Sequence, residues 1–189
     1  MSAICLIILL PAFAVIALII KLDSKGPVLF RQKRVGWHEK EFYIYKFRTM
    51  RTDTPSLPPN KFHDVSKYIT KSGRILRKTS LDELPQLLNV LVGEMSFVGP
   101  RPGAAKNEEE LILERRKRNV FSVRPGVTGW AQVNGRDELA HDVIEKSKHD
   151  EFYINNLTFK MDLICVLRTL HVVGSGKGYQ EGANGEKTA

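Results

Sequence analysis

The sequence predicts an α-rich α/β domain with one small strand pair and an apolar helical segment at its N-terminus. Three observations carry that prediction. Residues 3–20 are uncharged and mostly apolar. Residues 27–50 are rich in aromatic and β-branched side chains around a polar stretch that holds Gly36. Further on, apolar residues recur at helical spacing, most plainly Leu84, Leu87, Leu88 and Leu91. A chain of 189 residues suffices for one domain with a real core. The expected organisation is a membrane segment over residues 1–22, a domain over 23–174 and a mobile Gly-rich tail over 175–189.

Pro11 divides the apolar segment into Ala3–Leu10 and Ala12–Ile20. Each half is too short to span a hydrocarbon core of about 30 Å, and together they just reach. Proline inside a helix removes a hydrogen bond and clashes with the preceding turn, which predicts a kink or break. Membrane helices tolerate proline, so a kinked span and a re-entrant hairpin both stay open. Ala12-Phe13-Ala14 resembles a signal-peptide cleavage site, but no Lys or Arg precedes the apolar run. Val28–Phe30 and Phe42–Phe47 read as a strand pair. Residues 53–65, with Pro55, Pro58 and Pro59, read as a loop. Helices are expected over part of Tyr68–Arg77, from Asp82 to a stop at Gly93, and over 104–119, 139–153 and 158–173. The 104–119 helix carries Glu108, Glu109 and Glu110 early and Arg115 to Arg118 late, as the helix dipole favours. The last helix mixes Phe159, Leu163, Val166, Leu167 and Leu170 with Lys160, Arg168 and His171. Such an amphipathic helix suits a membrane interface or a core equally.

The net charge of +8 points to an anionic partner. Residues 21–51 hold nine Lys or Arg against three acids, directly after the apolar segment. Positive charge there marks the cytoplasmic side of a membrane and attracts anionic headgroups. Cys5 and Cys165 have no zinc or disulfide spacing and read as apolar fillers in a reducing compartment. The five histidines form no ligand cluster in sequence. No nucleophile elbow, Walker loop or dinucleotide glycine motif is present. The basic residues lack the aromatic interleaving of a single-strand binder, which argues against nucleic acid.

Ser80-Leu81-Asp82-Glu83 fits a capping box, with Glu83 reaching back to Ser80. Pro85 weakens that fit, because it would fall where its missing N–H is needed. A helix starting at Asp82 puts Pro85 in the first turn and both carboxylates at an N-terminus suited to phosphate. A carboxylate can attack phosphorus to give an acyl phosphate. The electrophile's charge must then be neutralised by Arg, Lys and usually Mg²⁺, which a second carboxylate can hold. Gly99-Pro100-Arg101-Pro102 is either a plain turn or a guanidinium preorganised for phosphate. In Arg124–Arg136, glycines permit close backbone approach. Trp130 there suits base stacking or burial, and Arg136 a phosphate contact or a solvated charge.

Four ordered segments resemble the bacterial sugar transferases, small monotopic phosphoglycosyl transferases, and look closest to capsule-type enzymes. They are Tyr45-Lys46-Phe47-Arg48-Thr49-Met50, Thr79 to Leu87, Gly93 to Pro102, and Arg124 to Arg136. The resemblance implies a compact monotopic domain with an N-terminal re-entrant helix and amphipathic interfacial helices. It implies transfer of a phosphosugar from a UDP-sugar to a polyprenol phosphate, with UMP released, at the cytoplasmic face of a bacterial inner membrane. Undecaprenyl phosphate is the expected polyprenol, and the step would open capsule, exopolysaccharide or glycoprotein glycan assembly. It implies that Asp82 is the nucleophile, that Glu83 helps hold Mg²⁺ beside it, and that Lys46, Arg77, Arg101, Arg136 and Asp150 line the site. It leaves room for a homodimer. The family breaks its anchor at a Ser-Pro pair, where Leu10 replaces the serine here. The basic and acidic residues usual before the apolar run are missing, so either this start is truncated or the anchoring differs. The rival is a membrane-tethered basic adaptor that binds anionic lipid without chemistry.

Overall fold

The computed structural model describes residues 2–55, 65–105, 108–135 and 142–175. The apolar segment forms one helix, α1 (Ser2–Asp23). It stays helical across Pro11, so the expected break does not interrupt it. One lost hydrogen bond is tolerated within a long run of good apolar helix formers. Phe13, Ile16 and Ile20, on one face of α1, pack against Val28, Phe47 and Leu76. The Phe13 and Phe47 rings meet edge-on at 5.3 Å. Ile4, Ile7, Ile8, Leu18 and Leu22 remain exposed. Among the described residues α1 alone is long and apolar enough to cross a membrane.

The strand pair forms as expected and is longer than its aromatic cores. β1 (Leu29–Val35) pairs antiparallel with β2 (Glu41–Phe47), in register from Leu29↔Phe47 to Val35↔Glu41. Alternation along β2 turns Phe42 and Ile44 inward, where they meet Met95. Next come α2 (Lys71–Lys78), capped by the Thr70 hydroxyl, and a 3₁₀ turn over Leu81–Gln86 that runs into α3 (Leu87–Leu91). The stop near Gly93 holds, with Gly93 at φ +83°. α3 docks on the outer edge of β2 through Asn89, which is fully buried. Asn89 Oδ1 accepts from the Tyr45 amide at 3.2 Å, while Nδ2 donates to the Tyr43 carbonyl at 2.7 Å and to Glu94 at 2.8 Å. One side chain thus replaces a neighbouring strand.

Periodicity gave no sign of the second sheet. β3 (Ser96–Val98) lies parallel to β5 (Gly126–Thr128), with Ser96↔Gly126 and Val98↔Thr128 paired. A Cβ on Gly126 would stand 2.1 Å from the Gly99 nitrogen, and one on Gly129 would stand 2.0 Å from the Gly99 carbonyl oxygen. The two glycine-bearing motifs are therefore one structure, in which the Pro-Arg-Pro turn crosses the 124–129 chain at contact distance. A two-residue strand, β4 (Gly103–Ala104), adds to β1 at Arg34 and Val35. α4 (Glu109–Lys117), α5 (Trp130–Gly135), α6 (Val143–Asn155) and α7 (Phe159–Ser175) complete the domain. α5 falls within Arg124–Arg136, where no helix was expected. Val98, Tyr153 and Cys165 form their shared core. Trp130 is partly buried, stacked on Phe152 at 5.3 Å beneath the Arg168 guanidinium. α7 buries Cys165 but exposes Phe159, Leu163, Val166, Leu167 and Leu170, a stripe at helical spacing. Most of the expected 53–65 loop and nearly all of the tail lie outside the described residues.

Replacing Asn89 with Leu keeps its branched shape but orphans the Tyr43 carbonyl and the Tyr45 amide. Each such group costs about 1–3 kcal/mol, so a loss of roughly 2–6 kcal/mol is expected. The midpoint of denaturant unfolding should fall with little change in slope.

Candidate active site

The site is built where β2, the 3₁₀ turn and the loop after β3 converge. Lys46 occupies the penultimate position of β2 and points at the 3₁₀ turn. The turn starts from Ser80, held in the left-handed region at φ 56° with no side-chain cap. The expected capping box therefore does not form. Glu83 turns instead to stronger, charged partners. Lys46 Nζ donates to Glu83 Oε1 at 2.8 Å. Arg101 grips the same carboxylate with two nitrogens, Nη1 donating to Oε2 at 3.0 Å and Nη2 to Oε1. The planar guanidinium meets the planar carboxylate in a fork that lysine cannot form.

Asp82, next to Glu83, is buried at 8% exposure, and no hydrogen bond reaches its carboxylate among the described residues. The two adjacent acids are driven apart electrostatically. Burial and the neighbouring Glu83 charge push Asp82 above the usual carboxylate range, against the opposing pull of Lys46, Arg77 and Arg101. Glu83 is partly buried, but Arg101 and Lys46 outweigh that penalty and hold it far below the range. Burial and the like charge of Arg101 lower Lys46, although Glu83 and Asp82 oppose them. One carboxylate is thus locked as an anion in ion pairs. The other, Asp82, carries the electrostatic strain and has no hydrogen-bonded partner among the described residues.

Arg101 is itself held from behind. Arg115, 1% exposed, donates to the Arg101 carbonyl at 2.6 Å and to Asp150 Oδ2 through Nε at 2.9 Å and Nη2 at 2.6 Å. Asp150 is 1% exposed and is raised by burial against the pull of Arg115. It therefore stands behind Arg101 rather than open to a substrate. Arg34 donates to the Pro102 carbonyl at 3.1 Å, pinning the other side of the turn. Arg77, in the last turn of α2, contacts the Met50 sulfur at 3.6 Å, close enough to act on Asp82. The structure thus gathers Lys46, Arg77, Asp82, Glu83 and Arg101, with Asp150 one layer deeper. Arg136 lies outside the described residues. Sequence reasoning missed Arg34, Arg115 and Asn89. Arg115 looked like one of four bases ending a helix, and nothing in one sequence marks which of them turns inward.

The bacterial sugar transferase family model matches residues 1–176. The chain belongs to the bacterial sugar transferase family. This family member is 36% identical over 189 residues to a UDP-N-acetylgalactosamine-undecaprenyl-phosphate N-acetylgalactosaminephosphotransferase of Aeromonas hydrophila, covering 94% of the chain and 44% of that relative. It is 42% identical over 176 residues to a UDP-glucose:undecaprenyl-phosphate glucose-1-phosphate transferase of Escherichia coli, covering 90% of the chain and 38% of that relative. The exopolysaccharide production protein PSS of Rhizobium leguminosarum is 41% identical over 187 residues, with 92% of each covered. The chain thus spans less than half of the first two and nearly all of the third.

The split between the carboxylates fixes opposite effects on stability. Asp82 is raised in the folded state, so its ionisation works against folding as pH rises through that value. Asp82→Asn should therefore raise the melting temperature at neutral pH, and the gain should vanish once the solution is acid enough to protonate Asp82 in both states. Glu83 is depressed, so its contribution is present above the unfolded carboxylate range and is lost as pH falls. Glu83→Gln should destabilise at neutral pH by about 2–4 kcal/mol, between the surface and fully buried cases. Melting curves of the two variants against pH test both signs.

Proposed function

We propose that this chain moves a phosphosugar from a UDP-sugar to a polyprenol phosphate in two steps, with Asp82 as the carrier. The carrying observation is the unpartnered, raised carboxylate of Asp82 beside a Glu83 clamped by Lys46 and Arg101. The names of the relatives support the substrate classes, a UDP-sugar and undecaprenyl phosphate.

In the first step an Asp82 oxygen attacks the phosphorus that bears the sugar. The bond from that phosphorus to the bridging diphosphate oxygen breaks, and UMP leaves with the bond's electron pair. In the second step a phosphate oxygen of the polyprenol phosphate attacks the same phosphorus. The acyl phosphate bond breaks, which restores the Asp82 carboxylate and yields the polyprenyl-diphosphate-sugar. Charge balances in both steps without proton transfer. Arg101 and Lys46 lie where they offset the diphosphate charge, and Arg77 flanks the nucleophile. The Glu83 clamp keeps both cations in place before substrate arrives.

Mg²⁺ is part of the proposal. A carboxylate has about four lone-pair sites, so Glu83 can keep Lys46 and Arg101 and still offer one to a metal, with Asp82 beside it. Among the described residues no group of three or more protein ligands forms. That suits a cation that takes one or two carboxylates and completes its shell with substrate oxygens and water. When bound, Mg²⁺ would offset the diphosphate charge.

We also propose that the domain rests on the cytoplasmic face of the inner membrane, with α1 bending at Pro11, where one helical hydrogen bond is missing, so that it dips into one leaflet and keeps both ends cytoplasmic. The basic 21–51 segment and the exposed apolar stripe of α7 support contact with a lipid surface.

With UDP-glucose or UDP-N-acetylgalactosamine alone, purified enzyme should release close to one equivalent of UMP, and mass spectrometry should find a phosphosugar on the Asp82 peptide. Asp82→Asn should abolish both, chelator should suppress them, and the rate should fall as acid protonates Asp82. UMP formed only when both substrates are present, with no adduct, would replace the covalent route by direct transfer. For topology, a cysteine at position 2 in a Cys5→Ser background should resist an impermeant reagent applied to intact cells. Labelling from outside would establish a span.

A further inference from the structure

Two polar clasps join the end of α1 to the domain, and neither touches the reacting carboxylates. The first is Asp23, the last residue of α1. Its Oδ2 accepts from the Ser72 amide at 2.8 Å and from the Ser72 hydroxyl at 2.7 Å, in the first turn of α2. The second is Arg48, 5% exposed. Its Nη1 donates to the Lys25 carbonyl at 2.7 Å, and its Nη2 donates to the Ser24 carbonyl at 2.7 Å and the Ser24 hydroxyl at 2.8 Å. A guanidinium at a helix C-terminus satisfies carbonyls the helix leaves open and complements its dipole. The turn is shaped to receive it. Gly26 sits at φ +124°, and a Cβ there would fall 2.0 Å from Arg48 Nη1. Only glycine meets both conditions.

Each clasp leads to the catalytic pair by a short, stiff route. Arg48 is two residues beyond Lys46, which holds Glu83. Phe47, between them, packs on Ile16, Ile20 and Phe13 of α1. Lys46, Phe47 and Arg48 therefore bind catalytic acid, anchor side and anchor end in succession. From Ser72, α2 runs seven residues to Lys78, past Arg77 beside Asp82. Apolar packing of α1 on Phe47 and Leu76 is non-directional and permits rolling. Hydrogen bonds constrain direction and fix α1 in one orientation.

We propose that Arg48 and Asp23 are positioning residues that set where Asp82 stands relative to the membrane helix. The proposal rests on the two-step transfer above. It predicts a split: a soluble UDP-sugar reaches Asp82 wherever the domain sits, whereas a bilayer-held polyprenol phosphate reaches it only at the right depth and tilt.

The test uses the full chain in lipid vesicles containing undecaprenyl phosphate, with whichever of UDP-glucose and UDP-N-acetylgalactosamine gives the wild type a UMP burst. For Arg48→Ala, burst size and rate should stay within about twofold of wild type, while discharge to the bilayer acceptor falls roughly 10- to 100-fold, the range expected for misplacement by about an ångström. A short-chain, water-soluble prenyl phosphate should restore discharge to near the wild-type rate. Asp23→Asn should show the same split to a smaller degree, and Arg48→Lys a partial recovery. Equal loss of both half-reactions, or no loss of bilayer discharge, overturns the proposal. If Arg48→Ala does not fold, Asp23→Asn, changed at an exposed position, decides alone. A wild type without a burst fails the covalent route instead. The ratio of bilayer to short-chain turnover in the variants then reads the clasps.

Discussion

The clamp on Glu83 is the interaction on which the rest of the site depends. It joins three elements far apart in sequence: Lys46 on β2, Glu83 in the 3₁₀ turn and Arg101 in the Pro-Arg-Pro loop. Taking three charged groups out of water is expensive, and a hydrophobic cluster would hold those elements at lower cost. What the ions add is direction. The Arg101 fork fixes the guanidinium plane, and Lys46 shares the acid from another side. The clamp also leaves Asp82 as the adjacent acid with no cation bonded to it. Two neighbouring carboxylates with opposed environments are the usual physical basis for two separate roles. Here Glu83 organises the cations, and Asp82 keeps the unfavourable environment.

Support for that clamp is layered. Arg115 and Asp150 form an almost fully buried ion pair behind the loop, and Arg115 spends a further hydrogen bond on the Arg101 carbonyl. Arg34 holds the carbonyl of the next residue, Pro102. The glycine crossing at Gly99, Gly126 and Gly129 brings the loop against β5 at a distance no larger residue allows. Rigid prolines, a buried ion pair and a backbone contact all act on one guanidinium. An arginine held this firmly loses little entropy when an anion arrives.

Much of this was legible in the sequence because it depends on local pattern. The strand pair, the helices α4, α6 and α7 and the stop at Gly93 follow from periodicity and turn chemistry. Asp82, Glu83, Lys46 and Arg101 were placed together by the resemblance and by the need to neutralise phosphate. What stayed hidden is non-local. The capping box at Ser80 was a sound local expectation, but a lysine 37 residues away and an arginine 18 residues away outcompete a backbone amide for Glu83. β3 and β5 are three residues each and carry no alternation to detect. Asn89 looks like an interruption of a leucine run until β2 is found beside it. Asp150 was matched to the site, yet only the fold shows Arg115 standing between it and the open side. At Pro11 the rule that proline interrupts helices lost to the helix-favouring residues on both sides.

Burial around the site acts on its bases as well as on its acids. Lys146 lies one helical turn before Asp150 on α6, within reach of the charges of Arg115, Glu108 and Arg101. Burial and the like charges of Arg115 and Arg101 push it down to about 8, although Glu108 and Asp150 pull the other way. A lysine is lowered only where placing one more positive charge is unfavourable. Lys46 is lowered for the same reasons, and Arg34 by burial with Arg101 and Arg115 opposing its charge. In all three the loss of water is the largest cause, and nearby carboxylates offset part of it. A bound anion would raise all three towards their ordinary values and ease the crowding of like charges. By linkage, the free energy that crowding costs the free protein is returned on binding an anion. The basic composition read at the outset is therefore more than a surface property, since part of it is folded inward around Asp82 and Glu83.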